Sequence, residues 1–315
     1  MSVQSLGSRA IIGRFYARLE QNIGMEWIDG TSMLFTSDQA SEEYRWLGQS
    51  PAMREWIGGR QAKGFTDNGL TIANKHYEAT LKVPVADLRR DKTGQVLVRI
   101  DELADRANAH WASLLSALIL AGESTVGYDG QYFFDTDHVE DASGTQSNDI
   151  AVDISALAVT NHGSTTAPSV GEIQQVILQA TQSILGFKDN QGEPMNENAA
   201  SFLVMVPVPL LSAAEAAVTL PFIDRGESNQ IVGAANRRYA VRSNARLTWT
   251  DKIAVFRTDG SVKPFIRQEE TPLDLDVIAE GSEHEAKEKE HIYGVDTWRN
   301  VGYGYWQHAC LATMT

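Results

Sequence analysis

A long amphipathic helix, preceded by an extended segment without a core of its own, most constrains how this chain folds. Apolar residues recur at three- and four-residue spacing between Ile100 and Leu118, and Gly122 ends the run. A helix of about 20 residues spans roughly 30 Å, which is long for a compact enzyme domain. The pattern therefore predicts a spine on which other elements pack.

The segment before this helix is predicted to be a two-stranded hairpin. Glycines loosen its start, and apolar residues then alternate with polar ones between Ala79 and Val85. Pro84 favours an edge or unpaired strand because proline has no N–H to donate. An isolated hairpin is marginal in water, so this one is expected to rest on a neighbouring chain. Residues 1–55 are predicted to form short helices, near Ile11 and near Ser41, in an arm that packs on something else.

The second half of the chain predicts a mixed helix and strand domain. Ser169 and Glu172 form a capping box that starts a helix, and SFLVMVP is typical of a fully buried strand. Asp259-Gly260 predicts a hairpin turn between two strands. The aromatic C-terminal stretch is predicted to be a strand that buries Trp298, Tyr305 and Trp306.

Composition and charge exclude several classes of protein. No apolar run approaches the roughly 18 residues that a membrane helix needs, and the first residues lack a signal-peptide pattern. The single cysteine, Cys310, forms no internal disulfide and belongs to no zinc-ligand spacing, which favours a small buried side chain. The net charge of −14 at pH 7 disfavours a nucleic-acid reader with an exposed basic surface.

The stretch YDGQYFFDTDH, residues 128–138, raises the question of a metal site. Asp135, Asp137 and His138 are metal-ligand types, but only the two aspartates share a face of an extended strand. No further histidine stands at a known ligand spacing from them. In the structural interpretation, Asp129-Gly130 forms a turn and the aspartates brace backbone N–H groups. The residues favour the structural interpretation.

Three other groups of residues are candidates for a site. His76, Tyr77 and Glu78 are acid–base types, but the predicted hairpin that carries them would not exclude water. The arginine group Arg237, Arg238, Arg242 and Arg246 favours pairing with carboxylates, within the chain or across an interface. The aromatic residues at 298–306 favour a buried or oligomer-facing strand over a platform for a base or sugar. No catalytic, cofactor-binding or metal-ligating residue is therefore predicted.

Three motifs in a fixed order resemble the major head subunit of Mu-like tailed phages and prophages. They are YDGQYFFDTDH at Tyr128, KPFIRQEE at Lys263 and YGVDTWRNVGYGYWQHA at Tyr293. The similarity extends from about Trp56 to the C-terminus. The order of parts, from arm and hairpin through spine helix to returning aromatic strand, also looks like a tailed-phage capsid protein.

The resemblance implies an α+β protein with the Hong Kong 97-type phage major capsid fold. It implies five segments: an N-terminal arm at 1–55, an extended hairpin (E-loop) at 56–98, a peripheral domain with the spine helix at 99–186, an axial domain at 187–255, and returning strands of the peripheral domain at 256–315. It attaches no catalytic role to residues 128–138.

The resemblance also implies a structural protein rather than an enzyme. Such a subunit self-assembles into hexamers and pentamers of an icosahedral head around double-stranded DNA, which it contacts without sequence specificity. Implied partners are scaffold, protease and portal proteins, and the implied location is the virion, after assembly in the cytoplasm of the bacterial host. No cofactor or membrane is implied. Two alternatives stay open: a soluble metal-dependent hydrolase using Asp135, Asp137 and His138, and an encapsulin-like nanocompartment shell protein.

Overall fold

The computed structural model describes residues 7–21, 26–45, 69–91, 94–223, 226–233 and 236–315. Its helices are α1 (Ser8–Leu19), α2 (Glu26–Thr31), α3 (Val85–Arg90), α4 (Gln95–Leu120), α5 (Val170–Gly186), α6 (Leu211–Thr219), α7 (Gln230–Gly233) and α8 (Glu283–Glu288). Its strands are β1 (Ser32–Thr36), β2 (Ser41–Tyr44), β3 (Leu70–Ala73), β4 (Lys75–Pro84), β5 (Asp149–Val152), β6 (Ser201–Val206), β7 (Phe222–Ile223), β8 (Glu227–Ser228), β9 (Arg238–Ser243), β10 (Lys252–Arg257), β11 (Phe265–Ile278), β12 (Glu290–Tyr303) and β13 (Ala309–Met314). None of the described helices is long and apolar enough to cross a membrane.

The predicted spine is α4, which begins at Gln95 rather than near Ile100. Its 26 residues span about 39 Å. The Asp91 carboxylate accepts hydrogen bonds from the backbone N–H groups of Gln95 and Val96, which have no acceptor inside the helix. The helix prediction is confirmed, and an aspartate outside the apolar pattern provides its cap.

A four-stranded sheet in the order β1-β11-β12-β4 lies beside the spine. β11 and β12 form a long antiparallel hairpin, and β4 pairs with β12 from Lys75 opposite Arg299 to Pro84 opposite Glu290. β3 pairs with β2 instead. The described strands therefore do not form the free-standing hairpin predicted from the alternation, because alternation sets which face is buried and not which strand is the partner. Residues 46–68, which hold the start of that prediction, lie outside the described ranges.

A core between α1, α4 and this sheet joins the N-terminal residues and β4 to the rest of the same subunit. Its buried residues are Ile11, Phe15, Val83, Leu88, Val96, Ile100, Leu103, Ala104, Leu275, Tyr293 and Val295. Arg14 and Arg18 of α1 also pair with Asp101 and Asp105 of α4 at 2.6 and 2.7 Å. The expectation that the arm and hairpin pack only on a neighbour is wrong for α1 and β4. The helix predicted near Ser41 is the strand β2.

A second, five-stranded sheet has the order β5-β13-β10-β6-β9 and carries α5 and α6. The buried-strand prediction for β6 is confirmed, since Phe202 to Val206 are all buried. The Ser169 and Glu172 capping box of α5 is confirmed as well. Cys310 on β13 is fully buried, and this burial raises the pKa of its thiol.

One prediction about the connections is wrong because the chain crosses between the sheets. Asp259-Gly260 does not close a hairpin, since β10 belongs to the five-stranded sheet and β11 to the four-stranded one. α5 and β13 pack together, and they fall in the segments 99–186 and 256–315 that are both predicted to belong to the peripheral domain. The five segment boundaries stay a prediction.

Candidate functional site

The loop between α4 and β5, which contains the YDGQYFFDTDH motif, is built from close turns. At Gly122 a Cβ atom would lie 2.5 Å from the Phe134 ring, so a larger residue would displace the ring. Gly130 has a φ of 88°, and the Asp129 carboxylate accepts from the backbone N–H of Gln131. This left-handed conformation favours glycine and forms the turn that the sequence predicts at Asp129-Gly130.

His138 is the buried centre of this loop. Its Nδ1 lies 2.6 Å from Oδ2 of Asp129, and its Nε2 lies 3.1 Å from Oδ1 of Asn148. The ring also stacks on Trp306, with the centroids 3.9 Å apart and the planes at 8°. Because the Asn148 amide donates to the backbone oxygen of Phe133, its Oδ1 is the acceptor. Both ring nitrogens of His138 therefore have partners inside the loop.

Asp135 and Asp137 lie at the surface of the same loop. The Asp135 carboxylate accepts from the backbone N–H groups of Tyr132 and Thr136 at 3.1 and 2.7 Å. Burial by itself raises the pKa of Asp135, but these two hydrogen bonds leave that pKa lowered. The hydrogen bond with Asp135 raises the pKa of the exposed Asp137. Asp135 thus braces the turn, and Asp137 contacts Asp135 rather than the core.

Glu140 extends the polar contacts towards the C-terminal strand. Its Oε1 accepts from Trp306 Nε1 at 3.2 Å, from Gln307 Nε2 at 2.9 Å and from the Tyr128 hydroxyl. Burial raises the pKa of Glu140 despite the hydrogen bond from Tyr128. These bonds fasten the loop to residues 306–308 at the start of β13.

The arrangement can hold the loop against the C-terminus, but it offers no ligand set for the three candidate residues. His138 points into the core while Asp135 and Asp137 stay at the surface, so the structure does not bring the three together. Among the described residues no group of three or more His, Cys, Asp or Glu side chains is placed to hold a metal ion.

The remaining sequence candidates lie apart from this loop. His76 stacks on Trp298 at 4.7 Å and contacts Asp296 at 3.1 Å on an exposed face. Trp298 is 39% exposed, so the prediction that it is buried is wrong, whereas Tyr305 and Trp306 are buried as predicted. Of the arginine group, Arg238 and Arg242 lie on β9 at the edge of the five-stranded sheet.

An arginine-lined cavity beside the spine is the feature that the sequence did not indicate. It has a volume of about 320 Å³ and is lined by Trp111 of α4, Arg267 and Glu269 of β11, and Arg299 of β12, among others. Arg267 and Arg299 stand at alternate strand positions where a buried residue is expected to be apolar. On β11, Arg267 follows the buried Phe265 by two positions, and on β12, Arg299 continues the buried alternation of Tyr293 and Val295. This period-two pattern is the signal that would have located the cavity.

A spine helix on a long-hairpin sheet, with a separate five-stranded sheet, is the Hong Kong 97-type capsid fold. A chain of the bacteriophage JBD30 procapsid matches with a TM-score of 0.53 and 23% identity, covering 98% of this chain and 75% of that chain. The virus-like particle from Pyrococcus furiosus matches with a TM-score of 0.53 and 9% identity, covering 95% and 96%. At these identities the similarity shows the fold alone. The chain thus has the fold that these capsid and virus-like-particle subunits share.

The chain belongs to the family of Mu-like prophage major head subunits. The model of that family, Mu-like prophage major head subunit gpT, matches residues 14–160 and 234–315, more than two thirds of the chain. The description of that family is that of a structural subunit of a phage head.

Two curated relatives agree with this family. The Mu-like prophage FluMu major head subunit of Haemophilus influenzae is 37% identical over 116 residues, covering 37% of this chain and 38% of that protein. The major capsid protein of Escherichia phage Mu is 33% identical over 107 residues, covering 34% and 35%. The matched part thus spans little more than a third of the length of either relative.

Proposed function

We propose that this chain assembles into the hexamers and pentamers of an icosahedral phage head that encloses double-stranded DNA. The single observation that carries the proposal is the family match, which includes both the spine helix and the C-terminal strands of the fold. A subunit of this kind acts through its surfaces rather than through a catalytic pocket.

The surface of the subunit supports a role in assembly. Leu220 and Phe222 follow α6 and are 47% and 62% exposed, and Val232 of the neighbouring α7 is 46% exposed. Exposed apolar side chains that cluster in this way mark surfaces that another protein covers. We assign this end of the five-stranded unit to contacts between subunits.

The charge of the chain fits a container wall. A net charge of −14 weakens attraction to phosphate, so packaged DNA is not held tightly and moves during packaging and ejection. The proposed contact with the DNA is without sequence specificity. Scaffold, protease and portal proteins complete the proposed set of partners, and assembly takes place in the cytoplasm of the bacterial host.

One alternative function has a specific observation in its favour. The match to the Pyrococcus furiosus virus-like particle covers nearly all of both chains, so the fold also suits a shell other than a phage head, such as an encapsulin-like nanocompartment. The hydrolase alternative has no such support, since both nitrogens of His138 are engaged within the described core.

The contents of native particles test the proposal. Particles are purified from lysates of cells in which the phage that encodes this chain multiplies, then treated with nuclease and analysed by mass spectrometry and gel electrophoresis. We expect this chain as the most abundant protein and a protected double-stranded DNA. Particles that lack DNA and carry an enzyme would instead identify a nanocompartment. Recovery as a soluble subunit with stoichiometric metal would favour the hydrolase.

A further inference from the structure

The cavity beside the spine contains two arginine side chains with unfilled hydrogen-bonding capacity. Arg299 is 1% exposed and Arg267 is 8% exposed, and they lie on the paired strands β12 and β11. Both guanidinium groups face the Trp111 ring, at 4.5 and 5.7 Å from its centroid. Two cations therefore meet at one indole in a largely buried space.

Each guanidinium keeps a nitrogen without an acceptor among the described residues. Arg299 donates from Nε to His110 Nδ1 at 2.9 Å and from Nη2 to the backbone oxygen of Ala107 at 3.3 Å, while its Nη1 has no partner. Arg267 donates from Nη2 to Asp29 at 2.6 Å, while its Nε has no partner. Buried donors of this kind normally have acceptors. Among its described residues the cavity therefore lacks an acceptor for one nitrogen of each arginine.

The charge of Arg299 is only partly compensated, because the Glu269 carboxylate interacts with it but burial still lowers the pKa of Arg299 to about 10. Across the described part of the chain Arg299 forms no ion pair, in contrast to Arg267 with Asp29. Burial, with Arg299 and Arg246 nearby, lowers the pKa of His110 to about 4, so this neighbour is neutral at pH 7. Burial also raises the pKa of Glu269, although Arg299 and Arg267 oppose that shift. A buried cation without an ion-pair partner is unfavourable, and two of the guanidinium nitrogens also have no acceptor among the residues that the structure describes, which indicates that an anion completes the site.

We propose that the cavity formed by Arg267, Arg299 and Trp111 binds a carboxylate side chain from a second copy of this chain. The inference rests on the proposed assembly, since the second copy is the neighbour in the shell. A planar carboxylate accepts two parallel hydrogen bonds from a guanidinium, and the indole provides an apolar wall. The chain has 41 Asp and Glu residues against 27 Lys and Arg residues, so every copy carries many carboxylates.

Other anions fit less well. A space of about 320 Å³ admits a side chain but not a duplex. A free phosphate or carboxylate ion satisfies the same donors, and the experiment separates it from the carboxylate of a second copy.

Arg299→Met is the test variant because it keeps an unbranched apolar side chain and removes the guanidinium group. In the isolated subunit we expect an equal or higher melting temperature, because a buried cation without an ion-pair partner is gone. We expect the protein concentration at which half of the subunits are assembled to rise at least tenfold, as measured by sedimentation velocity. The matched control is Arg99→Gln, an exposed arginine of the same helix-and-sheet unit that pairs with Glu102 at the surface, and it is expected to assemble like the unchanged protein.

Acetate provides a second measurement that needs no assembly. We expect sodium acetate, compared with sodium chloride at equal ionic strength, to raise the melting temperature of the unchanged subunit in a saturable way and to leave that of Arg299→Met unchanged. If Arg299→Met does not fold, the same assembly measurement is made on Arg267→Met. That measurement and the acetate titration of the unchanged subunit then test whether the cavity binds a carboxylate.

Three results would overturn the inference. Normal assembly of Arg299→Met while the unchanged chain also assembles would remove the cavity from the interface and leave the proposed function intact. A subunit that binds acetate but assembles equally well without Arg299 would have a site for free anions only. An unchanged chain that never assembles would overturn the proposed function together with the second-copy carboxylate.

Discussion

Replacing Trp306 with alanine is expected to destabilise the subunit by about 3–5 kcal/mol, because a large side chain leaves a cavity in a packed core. Trp306 is 1% exposed, stacks on His138 and meets the edge of Phe187 at 5.2 Å. Its indole N–H also donates to the buried Glu140. Since total stabilities are typically about 5–15 kcal/mol, most of the variant is expected to be insoluble.

Trp298→Ala is the matched control, eight positions earlier on the same returning segment. Trp298 is 39% exposed and contacts mainly the exposed His76, so its loss is expected to cost about 1 kcal/mol or less. Urea unfolding of soluble subunits and the soluble fraction on expression measure both variants. Equal stability losses at the two positions would contradict the placement of the C-terminal segment.

Replacing β4 with a Gly/Ser segment of equal length is expected to abolish cooperative folding of the core around α1. The strand pairs with β12 along its whole length, and Val83 is 5% exposed. It also positions α3, whose Val85 and Leu88 are 8% and 4% exposed. Each such side chain contributes about 1.5–3 kcal/mol when buried, so their combined loss approaches the stability of a whole domain.

The matched control replaces α8, Glu283–Glu288, with a Gly/Ser segment of equal length. This helix has no buried residue and lies at the end of the β11–β12 hairpin, so the circular dichroism signal and the unfolding midpoint are expected to stay nearly unchanged. A folded subunit that has lost only its assembly after the β4 replacement would contradict the internal pairing. It would support instead the neighbour-chain packing that the sequence pattern suggested.

Local patterns predicted the elements whose stabilising contacts are local. The spacing of apolar residues located α4, and the Ser169 and Glu172 capping box located the start of α5, because both depend on residues within one or two turns. The continuous apolar run of β6 likewise indicated burial on both faces. The motifs at residues 128–138, 263–270 and 293–309 indicated the family that the matched model shows.

Contacts between distant residues were not predictable in this way. The alternation in β4 does not specify β12 as its partner, and Asp259-Gly260 has turn residues although its flanking strands enter different sheets. In β12 the inward face holds Tyr293, Val295, Thr297 and Arg299, which places Trp298 outside. At positions 298 and 299 hydrophobicity predicts the opposite arrangement, with Trp298 buried and Arg299 exposed. For that reason neither the arginine cavity nor the exposure of Trp298 was predicted.

Electron microscopy of the purified chain tests the central claim most directly. The protein is concentrated under conditions that favour association, and the particles are classified by symmetry. A shell subunit is expected to give closed particles with five-fold and six-fold capsomers, or free six-fold rings before closure. A field of dispersed 34.6 kDa monomers at every protein and salt concentration tested would contradict the account of this chain as the wall of a phage head.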